Sequence, residues 1–162
     1  MKKIDLAYIA GIVDGEGYVG IKKATVRKDC QTPGYHARVQ IRMVDEEAIQ
    51  FIASALGGWY YPEKPHSEKG KPLFCYQASD KKAEEVLKIL LPYLRIKKRQ
   101  ALNVLELRNL QSQGCQHRTK ILGYRNFPNS HGTPRQVPNL GFSDEYVQKC
   151  EGFYLRAKEL NT

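Results

Sequence analysis

Residues 9–23 read IAGIVDGEGYVGIKK, an apolar stretch that runs through two acids and three glycines, Gly11, Gly15 and Gly17, into a second apolar stretch. From Lys3 to Val13 the apolar spacing is helical: Leu6, Ile9, Ile12 and Val13 share one side, and Ala7, Ala10, Gly11 and Asp14 share another. The second face is small, and small faces let another backbone approach closely. A short core helix whose alanines reflect helix propensity alone gives the same pattern. Gly15 and Gly17 are expected to break the helix through φ > 0 conformations, with a strand following at Tyr18 to Lys23. The reading leaves Asp14 and Glu16 at the end of a greasy helix, where a core has no use for them.

Outward from this stretch, the clearest period belongs to residues 36–43. His36, Arg38, Gln40 and Arg42 alternate with Ala37, Val39, Ile41 and Met43. This predicts a half-buried strand whose outer face carries the side chains that read guanine and adenine edges. Pro33 and Gly34 close the loop from Lys28 to Gly34 and make the two strands a hairpin. A helix from Asp45 to Leu56, with acids in its first turn and Gly57-Gly58 after it, comes next. A second hairpin follows, Trp59 to Lys64 and Leu73 to Ala78. Its register is open, since Phe74 and Tyr76 are candidates for the core on the face opposite Cys75 and Gln77. Asp80 is expected to cap a helix to Leu91, Pro92 to interrupt it, and Ile96 to Leu110 to form a third, giving the order αββαββαα.

From Leu107 to Ser143 the chain has no Asp or Glu, yet carries Arg108, Arg118, Lys120, Arg125 and Arg135 with three prolines and four glycines. Such a tract is read as a basic loop that wraps phosphate without repulsion, or as an ordinary surface loop. Ser143 or Asp144 caps a last helix to Leu160.

The 162 residues suit one domain: a core over 1–110, the basic loop over 111–143 and a terminal helix over 144–161. The excess of 26 Lys and Arg over 17 Asp and Glu, a net charge of +9, fits a nucleic-acid or anionic partner as well as a merely basic surface. No stretch approaches a membrane span, and acids stand where a signal peptide needs its cleavage region, so an intracellular protein is expected, with the compartment, an organelle or a prokaryotic cytoplasm, left open. Cys30, Cys75, Cys115 and Cys150 form no CxxC pair. A Cys115, His117 and His131 metal site is weighed against scattered reduced thiols, which the spacing favours.

The segment Ile9-Ala10-Gly11-Ile12-Val13-Asp14-Gly15-Glu16-Gly17, opening an αββαββ order and followed by Pro92-Tyr93-Leu94-Arg95-Ile96-Lys97, resembles the LAGLIDADG homing endonucleases over about the first 110 residues. The resemblance implies an α+β fold with an αββαββα core, an antiparallel sheet forming a DNA-binding saddle, and extra C-terminal helices. With one such motif, it implies a homodimer packed through Ala7, Ala10, Gly11 and Asp14, with both Glu16 carboxylates at the twofold axis.

It implies Glu16 as the metal-ligating acid, the Gly15 carbonyl as a further Mg²⁺ ligand, and Asp45 and Lys97 as catalytic partners. Ile49 departs from the pattern, standing where an arginine is found in relatives. For DNA contact the candidates are Lys22, Lys23, Arg27, Lys28, His36, Arg38, Gln40, Arg42, Lys64, Lys69, Lys71 and Gln77, with Arg118 and Lys120 on phosphate. The implied activity is site-specific double-strand DNA cleavage at a long pseudo-palindromic site, leaving short 3′ overhangs. The alternatives are a maturase-like protein bound to intron RNA and a non-cleaving DNA-binding regulator.

Overall fold

The computed structural model describes residues 2–26, 32–64, 71–129 and 132–162. Helix α1 (Lys3–Glu16) leads into strand β1 (Gly17–Lys23), which pairs antiparallel with β2 (Tyr35–Met43). Helix α2 (Glu46–Leu56) crosses to a second hairpin, β3 (Trp59–Glu63) and β4 (Leu73–Ser79), and α3 (Asp80–Leu90) and α4 (Lys98–Ser112) follow. The sheet order β1-β2-β4-β3 leaves the two hairpins back to back, with β2 and β4 at the centre. This matches the expected αββαββα core.

Three local expectations are corrected. Helix α1 runs through Gly15 to Glu16, and neither Gly15 nor Gly17 has a positive φ. Gly17 is needed because the chain turns so tightly there that a Cβ would lie 2.6 Å from the Val13 carbonyl oxygen. Asp80 is no cap: Ser79 holds the N-cap position, and Asp80 sits inside α3 at φ 48°.

The third correction concerns residues 111–143. The tract read as a loop contains a 3₁₀ turn (Gly114–His117) and a two-stranded antiparallel ribbon, β5 (Lys120–Asn129) and β6 (Gly132–Gly141). Its prolines hid it, because proline demotes a strand reading. In a two-stranded ribbon every strand is an edge, and edges tolerate proline. Helix α5 (Asp144–Glu159) then begins at the Ser143 cap, whose hydroxyl accepts from the Tyr146 amide at 3.3 Å.

All five helices pack on one face of the large sheet. Ile9, Ala10 and Val13 of α1, Ile49 and Ile52 of α2, and Leu87 and Leu90 of α3 bury against Val19, Val39, Ile41, Tyr76 and Ala78. Tyr76 therefore belongs to the core, which settles the open register. Its hydroxyl donates to the Gly57 carbonyl at 2.8 Å. Helix α5 is tied back by hydrogen bonds from Asn103 to the Phe153 carbonyl and from Asn161 to the Val19 carbonyl. Among the described residues the other face of the sheet carries no helix and stays open.

Candidate nucleic-acid interface and its acidic end

Cross-strand partners share a face, and the register sorts the open one. Tyr18 stands opposite Gln40, Gly20 opposite Arg38, and Lys22 opposite His36. Across the next pairing Gln40 faces Gln77, Arg42 faces Cys75 and Arg38 faces Ser79, while Trp59 and Tyr61 extend the row on β3. The predicted side chains Lys22, His36, Arg38, Gln40, Arg42 and Gln77 thus share one polar surface. Burial along β2 alternates as expected, except that Gln40 is only 8% exposed.

Lys23 is corrected. It lies opposite Tyr35 on the helix-facing side, where its ammonium pairs with Glu151 of α5 at 2.7 Å. Lys64 and Lys71 are exposed beside the ends of β3 and β4, whereas Arg27, Lys28 and Lys69 lie outside the described residues. His131 does too. Among the described residues no three His, Cys, Asp or Glu side chains group as a metal site, and Cys75 and Cys150 are buried free thiols.

Fixed partners hold the polar face in shape. Arg42 Nε lies 3.1 Å from Glu63 Oε1. The Gln40 amide turns its oxygen to Arg42, 3.1 Å from Nε and 3.2 Å from Nη2, the orientation that satisfies both groups. His36 Nδ1 lies 3.0 Å from Asp80 Oδ2. Among the described residues Arg38 Nε is buried without a partner, a donor that a docked acceptor would satisfy. Tyr18 folds its ring over Gly20, whose lack of a Cβ makes room for it, and burial pushes the Tyr18 phenol up. The Tyr61 phenol is pushed up to about 12, first by its hydrogen bond with Cys75 and then by burial. Tyr18, Tyr61, Trp59 and Glu63 escaped the sequence reading, because a face cannot be allotted to β1 or β3 before their pairing register is known.

The acidic end is built by an exchange between two chain segments. Lys97 Nζ donates to the Val13 and Asp14 carbonyls at 3.0 and 2.7 Å, closing the C-terminus of α1. In return the Asp14 carboxylate accepts from the Arg95 and Lys97 amides at 2.8 and 2.9 Å, in the turn before α4. Burial raises the Asp14 pKa, but hydrogen bonds from the Lys97, Arg95 and Ile96 amides and the Lys97 charge outweigh it, and the carboxyl is held below its ordinary value.

This exchange leaves the exposed Glu16 carboxylate without a protein partner among the described hydrogen bonds and salt bridges. Glu16 opens into a recess of about 330 Å³ that it shares with Tyr18, Lys22, Gln40 and Arg42. Asp45 instead caps α2, accepting from the Ala48 amide at 3.0 Å, which leaves one carboxylate oxygen for a second partner. Ile49 is wholly buried core.

The exposed stripe of α1 is Ile4, Ala7, Tyr8 and Gly11, with Ile4 73% and Tyr8 54% exposed. This shifts the expected contact face. Ala7 and Gly11 are on it, Ala10 is inside the core, and Asp14 is engaged by the 95–97 turn. Nothing lies within 4 Å of a Cβ placed on Gly11 or Gly15.

A sheet of two hairpins joined through a helix, open on one side, with an acid at the end of the first helix, is the fold of the LAGLIDADG homing endonucleases. No protein-family model and no curated protein sequence matches the chain. Its structure is similar to that of the homing endonuclease I-CvuI in complex with its target in 2 mM Ca, at TM-score 0.66 and 17% identity, covering 97% of this chain and 82% of that one. An archaeal intron-encoded homing endonuclease complexed with DNA matches at TM-score 0.61 and 17% identity, over 96% of this chain and 99% of that one. The LAGLIDADG homing endonuclease I-SmaMI, bound to cleaved DNA, matches at TM-score 0.57 and 17% identity, over 69% of this chain and 38% of that one.

Proposed function

We propose that the chain is a site-specific DNA endonuclease acting as a homodimer on a long pseudo-palindromic duplex, by Mg²⁺-dependent phosphodiester hydrolysis that leaves short 3′ overhangs. The observation that carries this reading is the recess in which Glu16 meets Tyr18, Lys22, Gln40 and Arg42. A surface built only to hold DNA gains nothing from an unpaired carboxylate aimed at phosphate. The acid has a use if a cation stands between it and the scissile group.

The donor set is hard oxygen, the Glu16 carboxylate and the Gly15 carbonyl at the negative end of α1, which suits Mg²⁺. One protomer supplies a single such acid, so the site needs the Glu16 of a second copy brought in across the exposed stripe of α1. An ion held by the Glu16 carboxylate and the Gly15 carbonyl would supply Lewis acidity toward the phosphate and make water more acidic. The chain's own part is positioning. Lys97 fixes the last turn of α1 and places a positive charge at its C-terminus, where it would stabilise charge developing on the phosphate. Asp45 offers its remaining oxygen to orient water. Lys22, His36, Arg38, Gln40, Arg42 and Gln77 read base edges in the major groove. I-CvuI and I-SmaMI were each solved on DNA, which supports a duplex as the partner. The proposed setting is intracellular, in an organelle or a prokaryotic cytoplasm.

Glu16→Gln is the test. The change keeps shape and removes charge, so cleavage in Mg²⁺ should fall to background while gel-shift affinity in Ca²⁺ stays the same or rises slightly. Wild-type cleavage by this variant would leave only the binding readings, an intron-RNA maturase or a DNA-binding regulator.

A further inference from the structure

Among the described residues no element forms a second layer on the β5–β6 ribbon. Among its described residues none belongs to the hydrophobic core, and Ile121, Tyr124 and Leu140 are 56%, 64% and 42% exposed. A lone two-stranded ribbon is marginal in water, so this one is built to lie against something. The composition says what. No Asp or Glu occurs between Leu107 and Ser143, while Arg118, Lys120, Arg125 and Arg135 do, so the complementary surface is a polyanion.

The root of the ribbon says where. The Ser143 amide donates to the His117 carbonyl at 2.8 Å and closes the base. Gly114, Phe142 and Tyr146 line one recess with Pro33, Gly34 and His36, at the start of β2. The other end of β2 is the acidic one, because Gly17, next to Glu16, pairs with Ile41. The nine residues of β2 span about 30 Å, or about nine base pairs of B-DNA. A duplex with its scissile phosphates at Glu16 therefore leaves the sheet where the ribbon begins.

At the root the charges are partly spent. Lys120 Nζ pairs with Asp144 at 2.8 Å, and the Arg118 guanidinium lies 5.0 Å from the centre of the Phe142 ring. Further out, Asn126 stands opposite Gln136 and Tyr124 opposite Pro138, which puts Tyr124, Asn126 and Gln136 on one exposed face. Arg135 is exposed on the other. A two-stranded ribbon fits a major groove, paired amides suit adenine edges, and a flanking arginine suits phosphate.

We infer that the β5–β6 ribbon is a second DNA-binding element, which grips the duplex just outside the base pairs covered by the sheet. The inference rests on DNA docking across the open face, as in the endonuclease reading. Its test compares two duplexes carrying one target that the protein has selected from a randomised pool, of about 20 and about 40 base pairs, the shorter one matching two sheet lengths. Wild-type protein should bind the longer duplex about tenfold more tightly at about 0.1 M salt, because extra phosphate contacts add affinity. Arg135→Glu, and separately the pair Asn126→Ala with Gln136→Ala, should erase that gain while leaving affinity for, and cleavage of, the shorter duplex unchanged.

Equal wild-type affinity for both lengths would overturn the ribbon assignment and spare the endonuclease reading. So would a length preference that survives both variants. Failure to select or bind any duplex would sink both. Should the variants instead lose binding to a structured RNA probe while keeping the DNA length preference, the ribbon serves RNA and the inference is wrong.

Discussion

At the residue scale the acidic end depends on the exchange between Asp14 and Lys97. Asp14 has its native pKa below the unfolded value, so its contribution to stability is fully present above the unfolded pKa and is lost as the pH falls through the native one. Asp14→Asn should lower stability by about 2 kcal/mol at pH 7, since it replaces a charged acceptor of two backbone amides. In urea unfolding the gap to wild type should narrow as the pH falls below about 4. A gap of constant size across that range would mean that the charge of Asp14 does not matter. Arg42 offers a second case. With Nε held by Glu63, its guanidinium is presented to the open face in a fixed orientation. Arg42→Ala should cost about 1–3 kcal/mol of discrimination at one symmetric pair of base positions and leave the others unchanged. Specificity profiling on a target library decides this, and an unaltered profile would remove Arg42 from the reading face.

Helix α1 carries the main argument at the element scale. One face supplies Ile9, Ala10 and Val13 to the core, its C-terminus presents Glu16, and its outer stripe of Ile4, Ala7, Tyr8 and Gly11 is exposed, with the Phe51 ring of α2 tilted beside Tyr8 at 6.2 Å between centroids. Large apolar side chains at 73% and 54% exposure beside small residues suit a second helix in close approach. Gly11→Leu has room within one protomer, so it should fold normally and yet block association by holding two helices apart. Sedimentation on target DNA should show a dimer for wild type and a loss of dimer for the variant. A wild-type monomer that cleaves both strands would refute the shared site.

At the scale of the whole molecule, the proposed endonuclease separates holding from cutting. The helices bury one face of a four-stranded sheet and leave the other polar, so the core that makes the fold stable also makes the interface rigid. The charge of +9 is unevenly distributed in sequence, with the acid-free run from Leu107 to Ser143 covering the end of α4, the 3₁₀ turn and the ribbon, whose root lies beside the start of β2. The distances that matter to function are therefore set by strand length and by where each connection leaves the sheet. Among the described residues no helix is long and apolar enough to cross a membrane.

Periodicity by itself determined the two hairpins, α2, α3, α4 and α5, and the polar row on β2, because alternation and helical spacing are local properties written along one segment. The motif at residues 9–17 sufficed to place Glu16 at a helix end. Tertiary structure alone decided that Lys23 faces Glu151, that Asp14 is held by the 95–97 turn, that Ala10 is core, and that Tyr18, Tyr61 and Glu63 share the open face. Each of these depends on a partner from a distant part of the chain, and a strand's face is assigned only when its register with a neighbour is known. The ribbon escaped for a related reason: its two strands pair with one another, and Pro128, Pro134 and Pro138 demote a strand reading that an edge strand tolerates.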